Sequence, residues 1–410
     1  MAGFILILSL VGGYEIVSLW RGLYLYQKKP ETERLFQAIL INPSDPDPYY
    51  RLGFFYQWDI KSLDLKESKR FLLKAIERNP LEQRYWIALA RVMKRLGERE
   101  AFERAIENSV YLFPTGYLGR WSAANLYLEV GSFEKAIGHL SYLLQHYPNQ
   151  TSQIYDLLFR VIPDSETILE KVVPRDSLSF QRFLGYLYEV GERDGAKRVW
   201  QKKAYFNWRP SRMDSLRHIE FLINSGDLGE AFRVWRETLK AEGIEGPSDE
   251  NLITNPSFEK KELLGGGFDW RVEKVSGAEV SFDNKDFFEG KSCLKIVFNG
   301  KENIDFYHVF QYVAWKPDTE YLLKARLKTR DLTTKSGIKI EVLSMDGKFR
   351  ASSEGLTGNN DWREVLFPFR SPKGSKGGMV RLRRERTEKF DRYISGVVWV
   401  DNVSLREKRE

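Results

Sequence analysis

Two rhythms of apolar and polar residues divide the chain. Through residues 31–245 apolar side chains return every three or four positions, the spacing of one buried face of an α-helix. At Gly243 that spacing stops. Leu294 to Phe298, Tyr321 to Leu327, Gly337 to Val342 and Val380 to Arg383 instead carry an apolar residue at every second position, as half-buried strands do. The pattern predicts paired helices over 31–245, a linker at 246–250 containing Gly246, Pro247 and Ser248, and an antiparallel β-sandwich over 251–410.

The helical part repeats. Pro46, Pro80, Pro114 and Pro148 are each 34 residues apart, and so are Gly97 and Gly131. A proline disfavours helix at the residue before it, so each can close a helix pair, while the glycines fall where one helix must turn into the next. Trp86, Leu89, Ala90 and Ala101 lie between the marks of one repeat, and Ala124, Tyr127, Ala136 and Leu143 between those of the next. A second register follows, in which Gly191, Ala196 and Trp200 recur 35 residues later as Gly226, Ala231 and Trp235. The stretch from Pro163 to Pro174 fits neither. This region resembles tetratricopeptide-repeat proteins, and the resemblance implies an all-α solenoid whose curved surface holds a protein partner. Trp86 and Trp121 are read as packing between helices rather than as ligand contacts.

Landmarks in the β region occur in order. Asn251-Leu-Ile-Thr-Asn-Pro-Ser-Phe-Glu259 and Gly267-Phe-Asp-Trp270 come first, then Glu289-Gly-Lys-Ser-Cys-Leu-Lys-Ile296. Gln311-Tyr-Val, Lys316-Pro-Asp-Thr-Glu-Tyr321, Asp361-Trp362 and Val398-Trp-Val-Asp-Asn-Val-Ser-Leu405 complete the series. Together they resemble carbohydrate-binding modules of the galactose-binding-like superfamily, which implies a jelly-roll sandwich. The resemblance also implies one structural calcium, with carboxylates from Glu259 and Asp401 and backbone carbonyls near Lys291 as its oxygen shell. Asn402 stands where many relatives keep a second acid.

Sugar recognition stacks a pyranose face on an exposed ring and fixes hydroxyls with polar groups. The candidates are Tyr307, Tyr312 and Trp315, with His308 and Gln311 as hydrogen-bonding partners; Trp270, Trp362 and Trp399 are read as core. If Leu323, Ala325 and Leu327 face inward, then Lys324, Arg326 and Lys328 face outward. The same count turns Lys339, Glu341, Arg381 and Arg383 outward. Arg326, Arg381 and Arg383 would then suit an anionic polysaccharide, because guanidinium pairs well with carboxylate. The competing expectation is a solvated face with no ligand.

Charge adds little: the net value is +7, with six of the seven surplus charges from Asn251 onward. That surplus is small, and no recognised motif accompanies it, so nucleic-acid binding is not expected. Cys293 is the only cysteine, which excludes an internal disulfide. His139 and His146, two helical turns apart, are read as solvent-facing rather than as metal ligands. No phosphate loop, dinucleotide fingerprint or Cys/His metal cluster is present. Residues 1–30 open on an uncharged run, Ala2 to Tyr14, broken by Glu15. It reads as a hydrophobic helix that anchors the chain in a membrane, as the remnant of a longer hydrophobic region, or as a buried first helix. Arg21, Lys28 and Lys29 behind it favour a cytoplasmic remainder, against the exported cell-envelope location that polysaccharide binding implies. The expected function is a non-catalytic scaffold whose repeats dock a protein and whose sandwich touches polysaccharide, by analogy in exopolysaccharide or O-antigen production. The alternatives are a pure assembly scaffold and, more distantly, a glycan hydrolase.

Overall fold

The computed structural model describes residues 32–248 and 250–408. The expected membrane-anchor segment, 1–30, lies outside them. Among the described residues no helix is long and apolar enough to cross a membrane. The chain divides into two compact units, one ending at Trp208 and one beginning at Arg209.

In the first unit α1 (Thr32–Ile41) precedes the pairs α2 (Pro46–Trp58) with α3 (Leu65–Arg78), α4 (Gln83–Leu96) with α5 (Arg99–Leu112), and α6 (Tyr117–Glu129) with α7 (Phe133–His146). Then come α8 (Thr151–Val161), the short α9 (Ser165–Lys171), α10 (Ser177–Glu189) and α11 (Arg193–Gln201). Local chemistry sets the ends. Asp64 caps α3 by accepting from the backbone N–H groups of Lys66 and Glu67 at 2.9 and 3.0 Å. Gly97 ends α4 at φ 77°, a left-handed turn that glycine adopts without strain, and Gly131 repeats it after α6. Pro80, Pro114 and Pro148 follow the second helix of a pair as expected, whereas Pro46 opens α2 at its first turn. Close approach explains the small residues: a Cβ on Gly53 would lie 2.6 Å from Leu72 of the facing helix. Leu89, Ala90, Ala124, Tyr127, Ala136 and Leu143 are all buried, as the repeat pattern requires.

The second unit starts with α12 (Arg212–Asn224) and α13 (Leu228–Ala241) and continues into ten strands. The boundary expected at 246–250 therefore falls inside this unit. Helical periodicity reports that a helix has a buried face, not which core receives it. Here the loop before β1 packs on α13, with the Phe268 ring 5.1 Å from Phe232 and 6.1 Å from Trp235. Gly267 sits so close that a Cβ would meet Trp235 at 2.8 Å.

All strand pairs are antiparallel. One sheet has the order β1 (Arg271–Val272), β4 (Val309–Ala314), β9 (Gly377–Arg383), β6 (Lys339–Ser344), β7 (Arg350–Ser352). The other has β2 (Ala278–Asp283), β3 (Cys293–Asn299), β10 (Ser395–Glu407), β5 (Glu320–Leu332), β8 (Gly358–Arg370). Leu323, Ala325, Leu327, Val398 and Val400 from the second sheet share one core with Val313, Ile340, Val342, Val380 and Leu382 from the first. This is the expected jelly-roll sandwich.

Candidate functional site

Register decides what shares the outer face of the first sheet. Phe310 on β4 lies opposite Arg381 on β9, and Arg381 lies opposite Glu341 on β6. Successive side chains alternate, so these three point away from the core that their neighbours fill. Tyr312 and Met379 form the next outward pair, and Arg383 and Lys339 the one on the other side. Tyr307 precedes β4, is 41% exposed, and lies nearly flat on His308, with ring centroids 4.4 Å apart and planes 18° apart. The Arg381 and Arg383 guanidinium groups stand 5.7 and 6.0 Å from the centre of the Tyr307 ring. Arg271 on β1 lies 4.8 Å from the Tyr312 ring centre. Tyr307, His308, Tyr312, Arg381 and Arg383 thus come together on one face.

The cations on this face are matched by carboxylates. Arg381 Nε donates to Glu341 Oε2 at 2.6 Å, and Arg350 Nε stands 3.5 Å from Glu341 Oε1. Glu341 was expected in solvent; it points outward but is fully buried beneath these arginines. Arg383, also expected outside, is buried and donates to Asp305 Oδ1 at 2.6 Å and to the carbonyl of Arg384 at 2.8 Å. Burial alone would raise the Asp305 carboxyl, but the hydrogen bond and charge of Arg383 hold it below the usual carboxylate range. Burial pushes the His308 imidazole below its ordinary value, against the pull of Glu273 and Asp305, so the ring is neutral at pH 7. Lys339 stands 3.5 Å from Glu385.

Three other expected contacts lie elsewhere. Gln311 is fully buried on the core side, where its Oε1 accepts from Thr254 N at 2.8 Å and its Nε2 donates to Thr254 O at 2.9 Å. Position 311 is one residue from Phe310, and a one-residue step in a strand reverses the face. Trp315 follows the end of β4 and is 5% exposed. Arg326 belongs to the opposite sheet, 3.2 Å from Glu364 and 4.6 Å from the centre of the Phe288 ring. Arg271, Arg350 and Asp305 were not anticipated: none lies in an alternating run of sequence, and only strand pairing brings them to the face.

The outer face of the second sheet carries Trp399, one of the tryptophans expected in the core. It is 2% exposed but lies between Lys295 and Lys328 in register, on the side away from the shared core. Lys295, Lys328 and Arg330 stand 5.5, 5.7 and 5.1 Å from its ring centre. Its indole N–H donates to Asp283 Oδ2 at 3.0 Å. Burial would raise the Asp283 carboxyl, but that bond, a backbone N–H and Lys295 hold it down at about 2.

Glu259 and Asp401 flank the loop before β3. Glu259 Oε1 accepts from Lys291 N at 2.9 Å, and Asp401 Oδ2 accepts from Phe288 N and Glu289 N at 2.8 and 3.0 Å. Burial raises the Asp401 carboxyl and the Glu259 charge adds to it, while the N–H donors oppose. Both carboxylates are thus engaged by backbone N–H donors of the loop between them. Among the described residues no three His, Cys, Asp or Glu side chains cluster as a metal site.

In the first unit, His139 is half-buried rather than solvent-facing, its ring stacked 5.8 Å from Tyr127. Burial and the Arg120 charge lower its imidazole to about 4. A hollow of about 370 Å³ is lined by Tyr50, Phe54, Arg51 and Arg84 among others. Trp86 donates its indole N–H to Pro80 O at 2.8 Å, and Trp121 stacks on Tyr117.

No family model matches the chain. The tRNA(Glu)-specific nuclease WapA of Bacillus subtilis subsp. natto (strain BEST195) is 24% identical over 165 residues, 38% of this chain and 7% of that protein. The chain thus spans about 7% of the length of that relative. Among solved structures, a carbohydrate-binding module of family 16 is 23% identical over 38% of this chain and all of its own, with a TM-score of 0.26. A structure described as CBM4 is 14% identical over 38% of this chain and 99% of its own, with a TM-score of 0.28.

Proposed function

We propose that the second unit binds a glycan across the outer face of its first sheet, with Tyr307 as the stacking ring. The observation that carries this reading is the exposed Tyr307 ring, set flat on His308 and flanked by Arg381 and Arg383. A pyranose presents C–H groups to such a ring and hydroxyls to the polar groups around it. Because Glu341, Asp305 and Glu385 already match the cations, this face offers oriented N–H donors with little net field. That favours a neutral, hydroxyl-rich polymer here over the anionic one suggested by the count of Lys and Arg.

In this reading the chain binds without catalysing, and the tetratricopeptide-type repeats dock a protein partner at the hollow beside Tyr50 and Phe54. Calcium held by Glu259, Asp401 and carbonyls near Lys291 stiffens the loop that carries Phe288. A place in the cell envelope, attached through residues 1–30 and serving polysaccharide production, completes the proposal. Affinity electrophoresis of the full chain in gels containing neutral polysaccharides tests its centre. Retardation that Tyr307→Ala abolishes supports it. No retardation in any neutral polymer shifts the reading to a pure assembly scaffold, the second possibility raised by the sequence.

A further inference from the structure

The loop after α2 exposes apolar side chains at the end of the first unit where α1 begins. Only the four residues 42–45 join α1 to α2, and a link that short sets the helices antiparallel. Thr32 therefore lies at the end of the pair where α2 stops at Trp58. Leu35, near the start of α1, lines one hollow with Phe54 and Phe55, near the end of α2, as that arrangement requires. The turns inside the second and third pairs take two and three residues, Gly97-Glu98 and Val130-Gly131-Ser132. The turn from α2 to α3 takes six, Asp59 to Asp64.

The added length holds apolar groups in water. Ile60 is 94% exposed and Leu63 49%, beside Trp58 at 54%. The loop is nonetheless fixed: Asp59 Oδ1 accepts from Lys61 N at 3.1 Å and Ser62 N at 2.9 Å, and Asp64 N donates to Tyr56 O at 3.0 Å. Three features point to a bilayer as the cover. The uncharged run Ala2 to Tyr14 belongs to the segment that leads into α1, at this same end. Tryptophan, with an apolar body and one N–H, is the residue type that settles among lipid headgroups. Lys61 and Lys66 hold no ion pair among the described residues, while Asp59 and Asp64 turn their carboxylates to backbone N–H groups, which leaves the two ammonium groups for lipid phosphate.

We propose that the loop 59–64 lies on a bilayer surface, with Ile60 and Leu63 at the acyl boundary, Trp58 among the headgroups and Lys61 and Lys66 against lipid phosphate. This rests on the part of the proposed function that attaches the chain to a membrane through residues 1–30, and it adds which face of the first unit meets lipid. A dye at position 60 of the full chain tests it. Cys293 is buried and its thiol pushed up to about 12, so in Ile60→Cys a nitrobenzoxadiazole thiol reagent labels the new site alone. With vesicles of phosphatidylcholine and phosphatidylglycerol, the emission should rise at least about twofold and move to the blue, as entry into the interface implies. Glu77→Cys, labelled in the same way, lies about 18 Å along α3 from Leu65 and should report no change. Leu63→Asp added to Ile60→Cys should cut the rise by about half, because it removes apolar area from the contact. Melting curves check that each variant folds. A chain that sediments with vesicles while the dye at position 60 stays unchanged overturns the loop contact and leaves attachment through residues 1–30 standing. A chain that does not sediment overturns both. Equal rises at positions 60 and 77 overturn the loop contact, and so does a rise without vesicles that grows with chain concentration, which would give the loop a protein surface instead.

Discussion

The two outer faces of the sandwich are built from similar residues and reach opposite results. Each sets aromatic rings beside arginine, lysine and acidic side chains along alternating strands. On the first sheet the acid goes underneath: Glu341 is buried between Arg381 and Arg350, and Tyr307 is left open above the guanidinium layer. On the second sheet the ring goes underneath: Trp399 is buried, roofed by Lys295, Lys328 and Arg330 and tied to Asp283. A buried acid with an exposed ring makes a platform, whereas a buried ring with exposed cations makes a solvated cover. Layering, more than composition, distinguishes the two faces.

The most damaging way to break the first face is to remove its buried acid. Glu341→Gln leaves Arg381 and Arg350 without their anion, and stability should fall by about 3–5 kcal/mol in urea or thermal unfolding. Calcium should act next, and through the second face only. The loop held by Glu259 and Asp401 carries Phe288, which lies over Arg326 on that face. If calcium binds, saturation at one hundred times its dissociation constant should stabilise the chain by about 2.7 kcal/mol. Glu259→Gln should remove most of that gain, while retardation by neutral polysaccharide stays the same. A melting temperature indifferent to both calcium and chelator would remove the ion from the picture.

An exchange of readouts separates platform from cover. Tyr307→Ala should cost about tenfold in glycan affinity with little change in stability. Trp399→Phe should do the reverse, leaving affinity intact and destabilising the fold by about 1–2 kcal/mol through the lost Asp283 bond. Acid titration sharpens the same contrast. Asp283 is held at about 2, below its ordinary 3.8, so its stabilisation is complete above pH 3.8 and is lost as pH falls toward 2. Trp399→Phe should shift that loss to higher pH.

Much of this fold can be read from residues alone. The 34-residue spacing of Gly97 and Gly131 marks where pairs turn, since a left-handed helix end favours a residue without a Cβ. Period-two alternation in Tyr321 to Leu327 separates Leu323 from Lys324 correctly, and the long strand β5 keeps that phase through Thr329. What the residues do not show is partner choice. Trp399 is buried, as its place in a family landmark implies, yet the strand phase that turns Val398 and Val400 into the shared core puts it on the outer side of its sheet. Gln311 shares the run Asp305 to Trp315 with the candidate rings Tyr307 and Tyr312, which makes it a hydrogen-bonding candidate, although alternation places it inside. The helix pair α12 and α13 carries the period of the earlier repeats but packs Phe232 and Trp235 against the sandwich loop. Arg271, Arg350 and Asp305 reach the site only through cross-strand register, which depends on contacts far apart in the chain.

The smallest expected effect is the most specific to the platform. His308 lies under Tyr307, and burial has pushed its imidazole below the ordinary value of 6.5. A depressed histidine stabilises the fold fully above the unfolded value and loses that contribution as pH falls through its folded value. As pH falls below 6.5 the wild-type chain should therefore lose a small part of its stability, and protonation of the folded ring, at a lower pH, should add a charge beneath the Tyr307 ring beside Arg381 and Arg383. Glycan affinity should weaken as the folded ring takes up that proton. His308→Gln, which cannot titrate, should flatten both curves, and the second face, whose Asp283 titrates only in strong acid, should contribute nothing there. Affinity that declines equally in wild type and His308→Gln would place the pH-sensitive group elsewhere and separate His308 from the platform.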